Sequence, residues 1–375
     1  MLLILFVILV ALVFEYINGF HDTANSIATV VATKVLTPRQ AVFMAAVTNL
    51  AGALSGSAVA STIGKGLVDI QYVTPATVLC GLLGGIAWNL ITWWKGLPSS
   101  SSHAIIGGLV GSTLGVSHGD WKVIKFFEDK SKIVSVLDPA TGAMVERTVV
   151  EHGGLVPKVI VPMFTSPVIG LVLGFLVMGL LYFLLRKARP RFVNRFFGNA
   201  QLLSSCWMGF SHGLNDAQKT MGIIALSLVA ATSAGAFTGL PDFLSFLRTP
   251  SPEAGKALEV AVWIKVVCAL TMAAGTYAGG WRIIRTLGHK MVKLHAVHGF
   301  AAETSAATII GLASHWGIPL STTHVISSCI MGVGSAKSVR SVKWLVVERM
   351  VWAWVFTIPV TAGIGYGLVR LFGLG

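Results

Sequence analysis

Apolar runs of about the length that a bilayer requires, separated by short polar segments, fill almost the whole chain. Each run predicts a helix that crosses or enters a membrane, because about 20 apolar residues span the hydrocarbon core. The runs cover 2–32, 40–62, 74–94, 103–117, 158–185, 200–234, 257–279, 296–314, 318–336 and 344–372. The pattern therefore predicts an all-α polytopic membrane protein with about ten transmembrane segments.

The composition agrees with a membrane protein and excludes an ordinary soluble domain. Of 375 residues, 54% are hydrophobic and 11% are charged, and the mean hydropathy is +0.77. Soluble domains carry about 25% charged residues. The net charge of +13 does not indicate nucleic acid, because the basic residues gather in short loops and form no single stripe. The partner that the composition predicts is the lipid bilayer, with no nucleic acid.

Basic loops also predict the orientation of the chain. The densest cluster lies at 186–195, followed by clusters at 282–293 and 337–343. Placing all three in the cytoplasm puts the polar segment 118–157 and both termini outside. The chain then divides into an N-terminal repeat core (1–117), an extracytoplasmic loop (118–157), a connecting span with a basic cytoplasmic loop (158–195), a C-terminal repeat core (196–343) and a final span (344–375).

Two polar motifs interrupt the apolar runs, and each occurs once in either half of the chain. A Gly-x-x-Asp motif lies at 19–26 and again at 213–220, and a Gly-x-Pro-x-Ser-x-x-His motif lies at 96–103 and at 317–324. The predicted topology orients the two copies oppositely, so the halves form inverted repeats with a substrate site between them. The second motif lies in full or re-entrant hairpins, and the shortness of 103–117 favours re-entrant ones.

The Gly-x-Pro-x-Ser-x-x-His motif has the chemistry of an anion site at a helix start. Proline in the first turn sacrifices no hydrogen bond, and the turn offers free backbone N–H groups, hydroxyls and the positive end of the helix dipole. Two such starts that approach from opposite sides can surround a tetrahedral oxyanion, whereas a single start more often only caps its helix. The predicted substrate-binding residues are Ser99, Ser100, Ser101, Ser102, Ser321, Thr322 and Thr323.

The Gly-x-x-Asp motif predicts a cation or proton site inside the membrane. Asp22 and Asp216 each follow a glycine by three residues, where a broken helix would expose carbonyl oxygens beside the carboxylate. Hydrogen bonding between helices is the alternative for these residues and for the nearby histidines. Glu15, shortly before the first motif, is a candidate ion-pair partner. The predicted coupling-ion or proton-carrying residues are His21, Asp22, Asn25, His103, Asn215, Asp216, Lys219, Glu303 and His324.

The four motif copies, in this order across almost the whole chain, resemble the signature of the inorganic phosphate transporter (PiT) family and its bacterial low-affinity, proton-linked branch. The resemblance implies a secondary transporter, not an enzyme, in the bacterial cytoplasmic (inner) membrane. Its two repeats would move past each other in an elevator-like or rocking motion. The implied cargo is phosphate, either free or as a neutral complex with a divalent metal. No tightly bound cofactor is expected, and a homodimer is left open.

Two residues depart from the pattern of sodium-coupled members, which carry Asn-Asp and a later Asn in both repeats. His21 stands in place of the first Asn, and Lys219 stands where the second repeat would supply the counterpart of Asn25. An ammonium three residues after Asp216 would replace a bound cation and neutralise the carboxylate. We therefore expect a phosphate symporter driven by protons, with sodium coupling weak or absent.

Two other functions fit part of the pattern. Sulfate is also tetrahedral, but only phosphate can stay protonated and donate a hydrogen bond to Asp22 or Asp216. An intramembrane hydrolase could use Ser, His and Asp, but a single nucleophilic site has no use for duplicated motifs, and the chain has no HExxH spacing. The four cysteines lie in apolar stretches without metal-ligand spacing and are interpreted as packing residues.

Overall fold

The computed structural model describes residues 1–65, 67–137, 144–239, 241–250 and 259–374. Within these ranges the chain forms twelve α-helices and one antiparallel pair of strands. The helices are α1 (Leu2–Ala32), α2 (Pro38–Leu54), α3 (Ala58–Lys65), α4 (Pro75–Lys95), α5 (Ser101–Val116), α6 (Val161–Leu185), α7 (Pro190–Ser233), α8 (Val262–Ala278), α9 (Trp281–Arg285), α10 (Ala296–His315), α11 (Thr322–Lys337) and α12 (Trp344–Leu371). The predicted all-helical membrane class is confirmed.

The two strands form a hairpin inside the long polar segment. β1 (Glu128–Leu137) pairs with β2 (Met144–Gly153), with Glu128 opposite Gly153 and Leu137 opposite Met144. Sequence periodicity does not predict this hairpin. The extracytoplasmic location of 118–157 stays a prediction, and its residues 138–143 lie outside the described residues. The start of the predicted span at 257–258 lies outside them as well.

Helix starts and stops follow local sequence signals. Thr37 and Thr74 are the N-caps of α2 and α4, and a proline follows each of them. α4 ends at Gly96 in a left-handed conformation (φ 64°), and Gly317 takes the same conformation (φ 66°) before α11. Glycine adopts this conformation without steric cost, so the chain can reverse at the first residue of each Pro-containing motif.

The helices that carry the Gly-x-x-Asp motifs are unbroken, so the predicted interruption at these motifs is wrong. α1 and α7 remain helical throughout. The glycines permit close packing instead: a Cβ at Gly19 would collide with the carbonyl oxygen of Met272, and one at Gly213 with that of Asn49. Within the described chain, a broken helix lies elsewhere, between α8 and α9, where the axis bends by 57°.

Fewer helices meet the requirements of a full crossing than the ten apolar runs predict. By length and hydropathy, four helices of the described chain qualify, namely α1, α4, α12 and α6 with the turn before it. The bent pair of α8 and α9 gives a fifth if it counts as one span. α5 and α11 have 16 residues each, about 24 Å of helix, which is less than the hydrocarbon core of about 30 Å. Their length favours the re-entrant form of the predicted hairpins.

Equivalent helices of the two halves make equivalent contacts. α1 packs against α8 of the second half, and α7 packs against α2 of the first. α5 packs against α12, and α11 packs against α6, so the last long helix of each half covers the short helix of the other half. The two halves are therefore interlocked through α6 and α12.

Burial separates inner helices from outer ones. α5 is buried from Ser101 to Gly115, and α11 is buried from Thr322 to Gly334. α6 and α12 expose large apolar side chains, among them Phe164, Phe183, Leu184, Leu345 and Trp352. An apolar exterior around a polar centre is the arrangement that a bilayer favours, and it places both Pro-containing motifs in the interior.

Candidate substrate and coupling-ion site

The two helix starts of the Pro-containing motif are built alike. Ser100 Oγ accepts a hydrogen bond from the backbone N–H of His103 at 3.2 Å, and Ser321 Oγ accepts one from the N–H of His324 at 3.2 Å. Both serines are N-caps, so their hydroxyls have the capping role that the sequence predicts as the alternative to substrate binding. Their hydroxyls hold the first turns of α5 and α11 in shape.

The two helix starts face each other at the centre of the protein. Ser102 Oγ donates to the carbonyl oxygen of Leu320 at 3.3 Å, and the ring centroids of His103 and His324 lie 4.9 Å apart. Trp354 of α12 covers His324 with a centroid separation of 4.2 Å. The facing turns are therefore in direct contact, and the histidine pair is packed between helices.

Lys219 of α7 joins both turns. Its Nζ donates to the carboxylate of Asp216, to Ser102 Oγ at 2.5 Å and to the carbonyl oxygen of Leu320 at 3.0 Å. The ammonium is almost completely buried, and three oxygens surround it. A fixed positive charge thus lies at the junction of the two halves.

Asp216 is contacted from three directions. Besides Lys219, Thr322 Oγ1 donates to Oδ2 at 3.0 Å, and His212 Nε2 lies 3.0 Å from the same oxygen. His212 Nδ1 lies 3.2 Å from Asn49 Oδ1 on α2, which orients the ring. The second carboxylate is therefore firmly tied to α7 and α11.

Asp22 has a different set of partners. His21 Nδ1 lies 2.7 Å from Asp22 Oδ1, and Thr323 Oγ1 donates to this oxygen at 3.4 Å. His21 Nε2 in turn lies 3.1 Å from Thr92 Oγ1 and 3.4 Å from Ser99 Oγ, and Ser99 donates to Thr92 at 2.8 Å. Ser99 thus contacts the first carboxylate only through the imidazole.

Asn25 connects the first half to the start of α11. Its Nδ2 donates to Thr322 Oγ1 at 3.2 Å and to Thr323 Oγ1 at 2.9 Å. Two buried oxygens at this centre, Asn25 Oδ1 and Ser101 Oγ, have no hydrogen-bond partner among the described residues. Such atoms are available to a ligand, because an unsatisfied buried polar group is costly.

The centre also has the ligand set of a cation site. One ligand atom each of Asp22, His212 and Asp216 lies within 4.8 Å of the others, and all three side chains are buried. With both carboxylates ionised and Lys219 protonated, one net negative charge remains. The arrangement suits binding of an anion only together with further positive charge.

Two predicted residues do not join this centre. Asp22, His212, Asp216 and Lys219 form the central cluster. Glu303 of α10 accepts hydrogen bonds from Thr29, from Gln201 and from Ser204, none of which contacts this cluster in the described structure. Asn215 Nδ2 donates to Ser314 on α10 at 2.9 Å. Both side chains connect helices, and any coupling role for them stays a prediction.

Three groups of the centre were outside the predicted set. His212 precedes Asp216 by one turn, so helical spacing could have included it. Thr92 is one of several isolated polar residues in an apolar run, which is a weak signal. Leu320 contributes only its carbonyl oxygen, and no side-chain pattern reveals a backbone acceptor. Glu15, the candidate ion-pair partner, hydrogen-bonds to Thr220 and to a neighbouring amide and has no basic partner in the described chain.

Comparison with known proteins decides the family. The phosphate transporter family (PHO4) matches the chain twice, over residues 18–193 and 186–365. The chain belongs to the phosphate transporter family. The two matches correspond to the two repeats, and the predicted resemblance is confirmed. Members of this family are transporters, so the prediction that the chain is not an enzyme is confirmed as well.

Individual relatives cover nearly the whole chain. A protein of Mycobacterium tuberculosis H37Rv is 40% identical over 374 residues, which is 99% of this chain and 78% of that protein. A protein of Bacillus subtilis strain 168 is 37% identical and covers 97% of this chain and 96% of its own length. Both carry the name "Probable low-affinity inorganic phosphate transporter". A solved structure titled "The sodium-dependent phosphate transporter" shares the fold, with a TM-score of 0.77, 23% identity and complete coverage of both chains.

Proposed function

We propose that this phosphate transporter is a symporter that moves inorganic phosphate across a bacterial cytoplasmic membrane with protons as the coupling ion. The observation that supports this most directly is the position of the Lys219 ammonium. Oxygens of Asp216, Ser102 and Leu320 surround it, and carboxylate, hydroxyl and carbonyl oxygens are the ligands that hard cations prefer. A tethered ammonium in this position removes the need for a sodium ion in that half of the site.

The proposed phosphate site lies between the starts of α5 and α11. The first turns of both helices offer free backbone N–H groups and the positive ends of two helix dipoles. The hydroxyls that remain after capping are those of Ser101, Ser102, Thr322 and Thr323. Phosphate oxygens would accept hydrogen bonds from Ser102, Thr322 and Thr323 in place of their present acceptors. They would also accept one from Ser101, whose hydroxyl has no partner in the described chain. Uncharged donors give selectivity without irreversible binding.

The net charge of the site supports the entry of a positive ion together with phosphate. The central carboxylates of Asp22 and Asp216 outnumber the single ammonium of Lys219. Entry of an anion is therefore opposed by repulsion, which is strong where water is scarce. At least one positive charge must enter with phosphate. We assign Asp22, His21 and Asn25 to the side of the site that faces this charge, and a protonated phosphate would donate to Asp22.

A metal–phosphate complex is the second candidate cargo. Its support is the grouping of Asp22, His212 and Asp216, whose ligand atoms lie within 4.8 Å of one another. Carboxylates and an imidazole suit a divalent metal, which would bring the required positive charge together with phosphate. A homodimer stays a prediction, since the contacts and comparisons concern a single chain.

Uptake of labelled phosphate into proteoliposomes tests the proposal when sodium, pH and divalent-metal gradients are varied independently. We expect accumulation with an acidic exterior in the absence of sodium, and competition by arsenate but not by sulfate. A strict requirement for a sodium gradient, without any response to pH, would contradict proton coupling. A requirement for Mg²⁺ at constant pH would favour the metal–phosphate complex.

A further inference from the structure

Two fully buried glutamates lie on either side of the central cluster. Glu15 precedes Asp22 on α1 by two helical turns, about 10 Å along the axis. Glu303 of α10 contacts Thr29, which follows Asp22 on α1 by two turns. Neither glutamate has any exposed surface. The central site therefore has one buried carboxylate toward each end of α1.

The oxygens of Glu303 are both occupied by donors. Oε1 accepts from Thr29 Oγ1 and from Gln201 Nε2, the latter at 3.1 Å, and Oε2 accepts from Ser204 Oγ at 2.5 Å. Both oxygens of this carboxylate therefore have hydrogen-bond partners within the protein. Glu303 is thus held as a cross-link between α1, α7 and α10.

Glu15 is surrounded differently. Oε2 accepts from Thr220 Oγ1 and, at 3.5 Å, from Asn18 Nδ2, but Oε1 has no hydrogen-bond partner among the described residues. Asn18 Oδ1 also lacks a partner in that part of the chain. A buried carboxylate oxygen without a donor is costly, whereas a proton on Oε1 makes the group neutral and turns the oxygen into a donor.

Glu15 is electrostatically connected to the central site. The titratable groups that face it are Asp216 and Lys219 of α7 and the thiol of Cys268 on α8. α2 and α4 carry charged residues only in their terminal turns. Thr220, which donates to Glu15, directly follows Lys219 in the chain. A change of charge on Glu15 therefore acts on the ion pair that contacts both substrate turns.

We propose that Glu15 is the residue that carries the coupling proton; this inference rests on the proposed proton symport. While the site is open to one side, an O–H bond of a hydronium ion breaks, its proton forms an O–H bond at Oε1, and neutral water remains. After the site has opened to the opposite side, this bond breaks and the proton returns to water. Protonation removes one negative charge beside the central cluster, so phosphate enters against less repulsion.

Glu15→Gln tests the proposal, because glutamine keeps the shape of the side chain but cannot take up or release a proton. Exchange of labelled phosphate at equal pH on both sides measures binding and translocation, and a pH step measures coupling. A step of about one pH unit supports about tenfold accumulation for one coupled proton. We expect wild-type protein to accumulate phosphate, and Glu15→Gln to exchange it but only to equalise its concentration.

Glu348→Gln is the control, since it removes an exposed carboxylate of α12, and its ratio of accumulation to exchange should equal that of the wild type. Glu303→Gln tests the other flanking carboxylate, which is itself a predicted coupling residue. Glu15→Met replaces Glu15→Gln if the latter fails to fold. Accumulation by the Glu15 variant at the wild-type level overturns the assignment but leaves proton symport intact. Coupling lost in Glu303→Gln and kept in the Glu15 variant overturns it too. A wild type that ignores the pH step overturns the symport itself.

Discussion

Asp22 and Asp216 occupy equivalent places in the two halves, but their charges are balanced in different ways. Asp216 has the ammonium of Lys219 beside it. The closest partner of Asp22 is the imidazole of His21 at 2.7 Å, which is positive only when protonated. One half therefore has a lysine beside its carboxylate and the other has a histidine; in the proposed symport, the half with the histidine is the one that receives positive charge in each transport cycle. A repeat protein can thus keep symmetric geometry and asymmetric charge.

Removing the carboxylate of the half with the lysine should have the largest effect. In Asp216→Asn, the buried ammonium of Lys219 would be left with neutral oxygens only. Breaking a buried ion pair by removing one partner costs about 3–5 kcal/mol. We expect loss of phosphate uptake together with a strongly lowered thermal stability, measured by unfolding of the purified protein in detergent.

Asp22→Asn is the matched variant in the other half. Asp22 is not the partner of a lysine, so its removal leaves no ammonium unpaired. Membrane insertion and thermal stability should therefore stay close to the wild type. Accumulation should nevertheless be abolished, since a protonated phosphate loses its carboxylate acceptor. Normal uptake by Asp22→Asn would remove this residue from the mechanism. Equal losses of stability in the two variants would show that the halves are not balanced differently.

Replacing the fixed cation should make the second half resemble the first half at the position three residues after the aspartate. Lys219→Asn places at this position the residue that Asn25 provides in the first half. The oxygens of Asp216, Ser102 and Leu320 then become available to a sodium ion. We expect proteoliposome uptake that is weak without sodium and stimulated several-fold by a sodium gradient. Bound sodium would restore the positive charge at Asp216 and so increase the fraction of protein that can bind phosphate.

Lys219→Met is the control for this conversion, because it removes the charge without adding an oxygen ligand. It should lose uptake without gaining a sodium response. If Lys219→Asn instead kept full pH-driven uptake and ignored sodium, the ammonium would not be the substitute for a bound cation. The asymmetry between the halves would then be unrelated to the choice of coupling ion.

The duplicated motifs predicted most of the centre because repetition carries information about tertiary structure. Two copies in opposed orientation imply that the two Pro-containing helix starts meet, although they lie in different halves of the chain, and Ser102 does contact the start of α11. The same argument predicts that Asp22 and Asp216 approach each other. Capping by Ser100 follows from local sequence alone. The meeting of the motif copies could be predicted from repetition, and the caps could be predicted from hydrogen bonds between residues close in the sequence.

Other features depend on neighbours that the local sequence does not contain. Gly19 suggests a broken helix, yet it serves close contact with the carbonyl oxygen of Met272, and only the packing of α8 reveals this. The exchange of α6 and α12 between the halves likewise has no motif. Glu15 and Glu303 look alike in sequence, but one has an oxygen without a donor and the other has both oxygens occupied.

The smallest expected effect separates geometry from charge. Ser100→Ala and Ser321→Ala each remove one N-cap hydrogen bond of 3.2 Å. Each should lower the stability by about 1 kcal/mol, the usual cost of losing such a cap. Because the two helix starts touch, the double variant should deviate from the sum of the single ones. Thermal unfolding of the three variants measures this. If the two serine variants lose the same stability while the two aspartate variants do not, the halves differ only in their charges. If the serine variants lose different amounts, the halves also differ at the helix starts that hold the substrate.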